Sequence, residues 1–303
     1  MSKNRRAELY LLIVTLVWGS TFVVSKSLLD YATPLAYTGL RFLLAAGIVL
    51  VIFYRRVSVV QLSTMIRGGI LGIILYTGFA LQTVGLQYTT ASKSAFFTGM
   101  LVVLTPVVHY LVHGFLKMEK KALRYGNIAG VVLSGTGLYL LTSPAGSSFN
   151  IGDALTLGCA ACFAFYIVYL DFASDVPDKL QLTYIQFLVC GILGLISAWI
   201  FEDAHIDFSG TFILSLLYLT IFATIIAMWV QNQFQGDTTP TRAAVIFAME
   251  PVVAGIFAYF VRGENIGIAG IIGGVIILIG LVLSEFCEVI PALRKEVGEI
   301  GTG

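Results

Sequence analysis

Charge is what this sequence has least of: 12% of its 303 residues are Asp, Glu, Lys or Arg, about half the share usual in soluble domains. A chain so poor in charge cannot cover a globular surface with it. At 58% hydrophobic residues and a mean hydropathy of +0.91, it belongs in lipid. A net charge of only +1 argues against a polyanionic partner and against nucleic acid. Cysteine is also scarce, at four residues. Cys159 and Cys162 form a C-x-x-C inside the apolar run TLGCAACFAFYIVY, without the second pair a metal would need, so they read as small residues for helix packing. His109 and His113 have the i, i+4 spacing of a zinc pair but no evident third ligand. No metal and no cofactor is expected, and a proton relay through His109 stays open. No nucleophile–base cluster and no Asp-rich diphosphate motif stands out, which disfavours the alternative of a membrane-embedded lipid-modifying enzyme.

What the chain has instead is apolar runs of about twenty residues, each long enough at about 1.5 Å per residue to cross about 30 Å of hydrocarbon. Turn residues and charges punctuate them into ten spans, near 8–27, 34–54, 67–87, 95–116, 124–142, 152–171, 180–200, 210–232, 242–261 and 266–285. The first run lacks an A-x-A cleavage site and is expected to stay as a membrane helix. The fold class expected is an all-α polytopic membrane protein with no separate soluble domain. The connections are short, so Lys and Arg near helix ends report orientation. With the N-terminus inside, fourteen of the 18 basic residues fall at cytoplasmic ends; Lys26, Lys93 and Arg262 fall at the other, and Arg41 lies within a span. Both termini are therefore expected in the cytoplasm, with the chain in the inner membrane.

The spans repeat. TPVVHYLVHGFLKME (Thr105 to Glu119) lies over EPVVAGIFAYFVRGE (Glu250 to Glu264) without a gap, at an offset of 145 residues. The same offset sets Phe42-Leu43 on Phe187-Leu188 and Glu8 on Asp153. The expected organisation is a short N-terminus over residues 1–7, a first five-helix repeat over 8–142, a linker over 143–151, a second repeat over 152–285 and a tail over 286–303. An odd number of spans per copy inverts the second relative to the first. Inverted repeats characterise transporters, with the substrate site near the midplane between halves. A channel, the other alternative, is disfavoured by the inversion and by the lack of charged rings.

VWGSTFVVSK at Val17 to Lys26, Arg41 in YTGLRFLLA, LQYTTASKSAFFTGMLVVLTP at Leu86 to Pro106 and TRAAVIFAMEPVVAGIFAYFVRGE at Thr241 to Glu264 resemble the EamA family of the drug/metabolite transporter superfamily. The resemblance runs over about residues 8–285. It implies a 5+5 fold, alternating access and a central cavity lined by spans one, three, four, six, eight and nine. It also implies a small metabolite as substrate, an amino acid, nucleoside, amine or related compound.

Glu250 is the sharpest candidate. A carboxylate at mid-depth costs several kcal/mol in hydrocarbon and must face protein, water or a cation. Pro251 beside it has no N–H for the Phe247 carbonyl and is expected to loosen span nine. Glu250 then either couples transport to protons or pairs structurally, for instance with Arg41. Arg41 anchors helices or contacts substrate; Lys93 snorkels to an interface or attracts an anionic group. On the spans implied to line the cavity, Trp18, Tyr76, Phe97, Phe163, Tyr166, Trp229 and Phe247 supply rings, and Gln82, Asn232 and Gln233 supply amides that need partners. Gly126 with Gly130 and Gly270 with Gly274 form GxxxG faces for close helix contact within a monomer or a homodimer.

Overall fold

The computed structural model describes residues 3–113, 125–142, 149–263, 267–280 and 282–283, and the described chain is helical throughout. In order, the helices are α1 (Lys3–Leu28), α2 (Pro34–Val57), α3 (Leu62–Tyr88), α4 (Ala91–Gly99), α5 (Leu101–Val112), α6 (Tyr125–Thr142), α7 (Ile151–Ala173), α8 (Lys179–Phe201), α9 (Gly210–Tyr218), α10 (Ala227–Phe234), α11 (Pro240–Phe247), α12 (Glu250–Arg262) and α13 (Ile268–Gly280). Leu219–Ile226, between α9 and α10, is a π-helix, and Gln235–Asp237 is a 3-10 turn. Eight spans are long and apolar enough to cross a membrane, and the shorter apolar helices Ile128–Leu140 and Ile268–Gly280 complete ten. The chain is a polytopic all-α membrane protein built as two five-span halves. Outward-facing side chains such as Val51, Phe201, Phe260 and Ile268 are more than three-quarters exposed, as suits a lipid face.

Among the described residues, span two kinks near its end at Phe53, and three further spans are interrupted beside or near the cavity. Span four breaks at Met100 and span nine at Ala248–Met249. At the second break Pro251 sits in the first turn of α12, where a missing N–H costs nothing. Pro106 lies inside α5, six residues beyond the first break. Span eight carries the π segment.

Lipid tails are as apolar as leucine, so the halves must be held by close packing rather than by expulsion from water. Glycine provides it. A Cβ on Gly39 of α2 would lie 2.6 Å from the Leu195 backbone nitrogen, and one on Gly194 of α8 would lie 2.6 Å from the Gly39 Cα. Polar clamps secure both ends of this pair. The Glu202 carboxylate accepts from the Leu35 and Ala36 amides at the α2 N-terminus (2.9 and 3.2 Å), and Asp178 accepts two bonds from Arg56 at its C-terminal end. Between α6 and α13, Gly137 packs against the Gly273 carbonyl and Gly280 against the Gly130 carbonyl.

Gly39→Leu and Gly194→Leu are expected to destabilise the protein by at least about 1–3 kcal/mol, because backbone atoms stand where the new side chain would go. Thermal unfolding and size-exclusion profiles check this. Gly47→Leu, where an added Cβ meets nothing within 4 Å, is the neutral control.

Candidate functional site

A central cavity of about 570 Å³ of empty space, its mouth included, lies between the halves. Trp18 and Thr21 of α1, Leu75, Phe79 and Gln82 of α3, and Leu101 of α5 line it from the first repeat. Phe163, Tyr166 and Ile167 of α7, Met228 and Gln231 of α10, Phe247 of α11 and Glu250 of α12 line it from the second, and Arg41 of α2 reaches in as well.

The lining is pseudo-symmetric. At the offset of the sequence repeat, Trp18 corresponds to Phe163 and Thr21 to Tyr166. Over the later spans the two copies align from their cap threonines. Thr90 accepts from the Lys93 amide and Thr239 from the Arg242 amide, each at 3.2 Å. Counted in that register, Phe79 matches Met228, Gln82 matches Gln231 and Leu101 matches Glu250, all of them on the cavity wall. The proline alignment instead sets Thr105 against Glu250. Thr105 is buried and its hydroxyl donates to the Leu101 carbonyl at 2.7 Å, so the helical turn that separates the two registers lies between the Met100 break and Pro106.

Two charges depart from the symmetry, and neither has a charged partner among the described residues. Arg41 is buried; its Nε donates to the Thr224 hydroxyl at 2.6 Å, Nη1 lies 3.4 Å from the Tyr37 hydroxyl, and the guanidinium stands 5.1 Å from the Phe79 ring centre. Glu250 is also buried, with no hydrogen bond or ion pair to its carboxylate among the described residues. Arg41 and Glu250 do not pair with each other. The backbone at Glu250 is tightly held. A Cβ on Gly19 would lie 2.9 Å from the Glu250 carbonyl oxygen, and one on Gly99 would lie 2.7 Å from Pro251 Cγ. Those two glycines let α1 and α4 close on the start of α12.

The π segment orients the opposite wall. Its wider turn leaves the Ala223 carbonyl to accept from Trp18 Nε1 at 2.9 Å, and Thr224, whose hydroxyl donates to the Leu219 carbonyl, receives Arg41. Trp18 also meets the Phe247 ring edge-on at 5.4 Å. Tyr166 donates to Gln186 Oε1 at 2.6 Å and lies 3.1 Å from Asn232 Oδ1, while Asn232 Nδ2 donates to Thr183. Gln82 donates to Thr98 and Gln231 to Gln235.

Of the residues singled out in the sequence, the cavity brings together Trp18, Arg41, Gln82, Phe163, Tyr166, Phe247 and Glu250. Tyr76, Phe97, Lys93, Trp229, Asn232 and Gln233 lie off its wall. Phe97 meets Phe96 and Phe149 edge-on, Trp229 is 41% exposed on the far side of α10, and Asn232 sits behind Tyr166. Lys179 is bonded to the backbone carbonyl of Gln233, and Lys93 forms an ion pair with Asp153. Sequence reasoning missed Thr21, Leu75, Phe79, Leu101, Ile167, Met228 and Gln231. The spacing of Leu75, Phe79 and Gln82, and of Met228 and Gln231, was the available sign of an inward face. His109 is buried in α5, its ring 6.4 Å from that of His113, and no three metal-ligating residues cluster among the described residues.

Two inverted halves around a cavity bearing unpaired charge define a membrane transporter. The chain belongs to the EamA-like transporter family, whose model matches residues 5–143 and 150–286, and so to the drug/metabolite transporter superfamily. It is 34% identical over 93% of its length to an uncharacterized transporter of Archaeoglobus fulgidus, 86% of which is covered. It is 28% identical to a probable amino-acid metabolite efflux pump of Salmonella typhimurium, with 93% of this chain and 96% of that one aligned. A solved crystal structure shares the fold at a TM-score of 0.74 and 18% identity, covering 94% of this chain and 98% of that one. The family and these relatives are transporters, which removes the lipid-enzyme reading.

Proposed function

We propose that the protein is a secondary active carrier that moves a small amphoteric metabolite, an amino acid in preference to a nucleoside or simple amine, by alternating access and in exchange for protons. The observation that carries this reading is the pair of unpaired charges lining one cavity, Arg41 and Glu250, among the rings of Trp18, Phe79, Phe163 and Phe247. A buried charge without a partner is costly, and a solute bearing a carboxylate and an ammonium satisfies both at once. The rings take up its apolar body. The name of the Salmonella relative points the same way and favours export. Glu250, empty of solute, is the site that accepts a proton.

The test is a thermal-shift screen of purified protein followed by flux in proteoliposomes. Amino acids are expected to raise the unfolding temperature, and the matching amines and nucleosides to do so less. Stabilisation by nucleosides alone would overturn the substrate class, and unitary currents would overturn the carrier.

The proposed setting is the inner membrane with both termini cytoplasmic, supported by the fourteen basic residues placed on that side. Reporter fusions at either end are expected to be active only in the cytoplasm; periplasmic activity at both ends would refute it.

A further inference from the structure

Two buried ion pairs stand at opposite ends of the bundle, and the repeat symmetry interconverts them. At one end Arg242 Nη2, at the start of α11, lies 2.7 Å from Glu8 Oε1 of α1. At the other, Lys93 Nζ, at the start of α4, lies 2.7 Å from Asp153 Oδ2 of α7. Each pair joins one repeat to the other, span one to span nine and span four to span six. Each acid also accepts from the threonine four residues before its base: Thr89 donates to Asp153 at 2.6 Å and Thr238 to Glu8 at 3.4 Å. The base-bearing ends share a pattern of two threonines followed three residues later by a base, TTASK at Thr89 to Lys93 and TTPTR at Thr238 to Arg242. Lipid anchoring by snorkelling does not describe these bases, since their side chains are 13% and 9% exposed and their acids 0% and 3%.

We propose that Glu8–Arg242 and Lys93–Asp153 are the two latches of the transport cycle, each opening with its own end of the cavity while the other stays shut. The proposal rests on the alternating-access reading. The mechanics follow from the broken spans. Lys93 rides on α4 and Arg242 on α11, helices of nine and eight residues that end at the Met100 and Ala248–Met249 breaks beside the cavity. A short helix hinged at its inner end swings its outer end furthest. In the shut position the pair is dry, and stripping one partner there leaves an uncompensated buried charge. When the lever swings outward, water reaches both ions and replaces the bond, so rupture is tolerable only as part of opening. Each base also sits at a helix N-terminus, where the macrodipole disfavours a cation, which keeps the closed latch from being too stable to release. Asp153 is the fixed half of its latch: it closes a capping box with Asn150 in the first turn of α7. Both pairs are formed in this structure.

The test uses a full-length chain with its cysteines replaced by serine and a single Ile167→Cys reporter on the cavity wall. An impermeant maleimide is applied from each side of oriented proteoliposomes. Asp153→Asn is expected to raise labelling from the α4–α7 end by roughly tenfold and to lower it from the other, and Glu8→Gln to do the reverse. The exchanges Lys93→Asp with Asp153→Lys, and Glu8→Arg with Arg242→Glu, are expected to restore labelling toward the parent. A parent labelled from each side in turn, with variants that shift both sides alike or neither, would overturn the latches while leaving alternating access standing. Passage of the reagent through the parent from one side to the other would overturn alternating access itself, because a carrier population labels from each side in turn but is never open to both at once. If a single-neutralisation variant does not fold, its charge-exchanged partner decides: failure of the exchange to recover monodisperse protein with the parent's ratio of labelling from the two sides sinks the proposal.

Discussion

Glu250→Gln is expected to give a folded protein whose flux no longer responds to an imposed pH gradient, with gradient-driven uptake reduced roughly 5- to 150-fold, the range of ordinary coupling free energies. The substitution keeps the size of the side chain and removes its charge. Because no described residue pairs with the carboxylate, no ion pair is broken, and the packing of α12 through Gly19 and Gly99 is untouched. Folding is therefore expected to survive, as read by thermal unfolding and size exclusion. Exchange of labelled for unlabelled substrate without a gradient should persist in part, since a neutral amide still accepts and donates hydrogen bonds. Thr105→Val serves as the control. Its hydroxyl serves only the Leu101 carbonyl of its own helix, so its effect on gradient response should be small. Normal gradient-driven transport by the Gln variant, or its failure to fold, would make Glu250 a bystander or a strut.

The helices and the two halves were legible because they rest on strong physics: a bilayer demands apolar segments of fixed length, and an odd count of spans per repeat forces inversion. Which face of each span turns inward was not. In a soluble helix polarity contrasts the core with water, but here core and lipid are both apolar, and the periodicity that separates Phe79 from Tyr76 or Gln231 from Trp229 is faint. Polar residues escaped that degeneracy only in part. Gln82 and Glu250 reach the cavity, whereas Asn232 is taken up by Thr183 and Tyr166 behind the wall. The helix breaks were half legible. Pro251 marked one, but Pro106 lies a turn and a half beyond the other; Lys93 and Arg242, thirteen and nine residues before these prolines, showed that one copy holds an extra turn but not which register faces the cavity. The π segment left no mark in LTIFATII; what accompanies it is tertiary, with the Ala223 carbonyl bonded to Trp18 and the Thr224 hydroxyl to Arg41.

If the solute is an amino acid, as proposed, Arg41→Gln is expected to weaken its binding by roughly 10- to 150-fold while changing that of the decarboxylated amine far less. The estimate is that of a charge-assisted hydrogen bond, about 1.5–3 kcal/mol, lost from one end of the solute. The guanidinium is already oriented by Thr224 and Tyr37 and flanked by Phe42 and Phe79, with no acid beside it among the described residues, so its charge is available to a carboxylate without breaking a prior pair. Glutamine is chosen because the second repeat carries Gln186 at the matching position, buried in the same bundle. Arg41→Lys keeps the charge but not the planar fork and should fall between the two. The measurement is competition by paired ligands, each amino acid against its own amine, for binding to purified protein. A purely structural Arg41 would lose both ligands together and lower the unfolding temperature with them. Equal losses for amine and amino acid would therefore return Arg41 to an anchoring role and leave Glu250 as the sole charge that selects the solute.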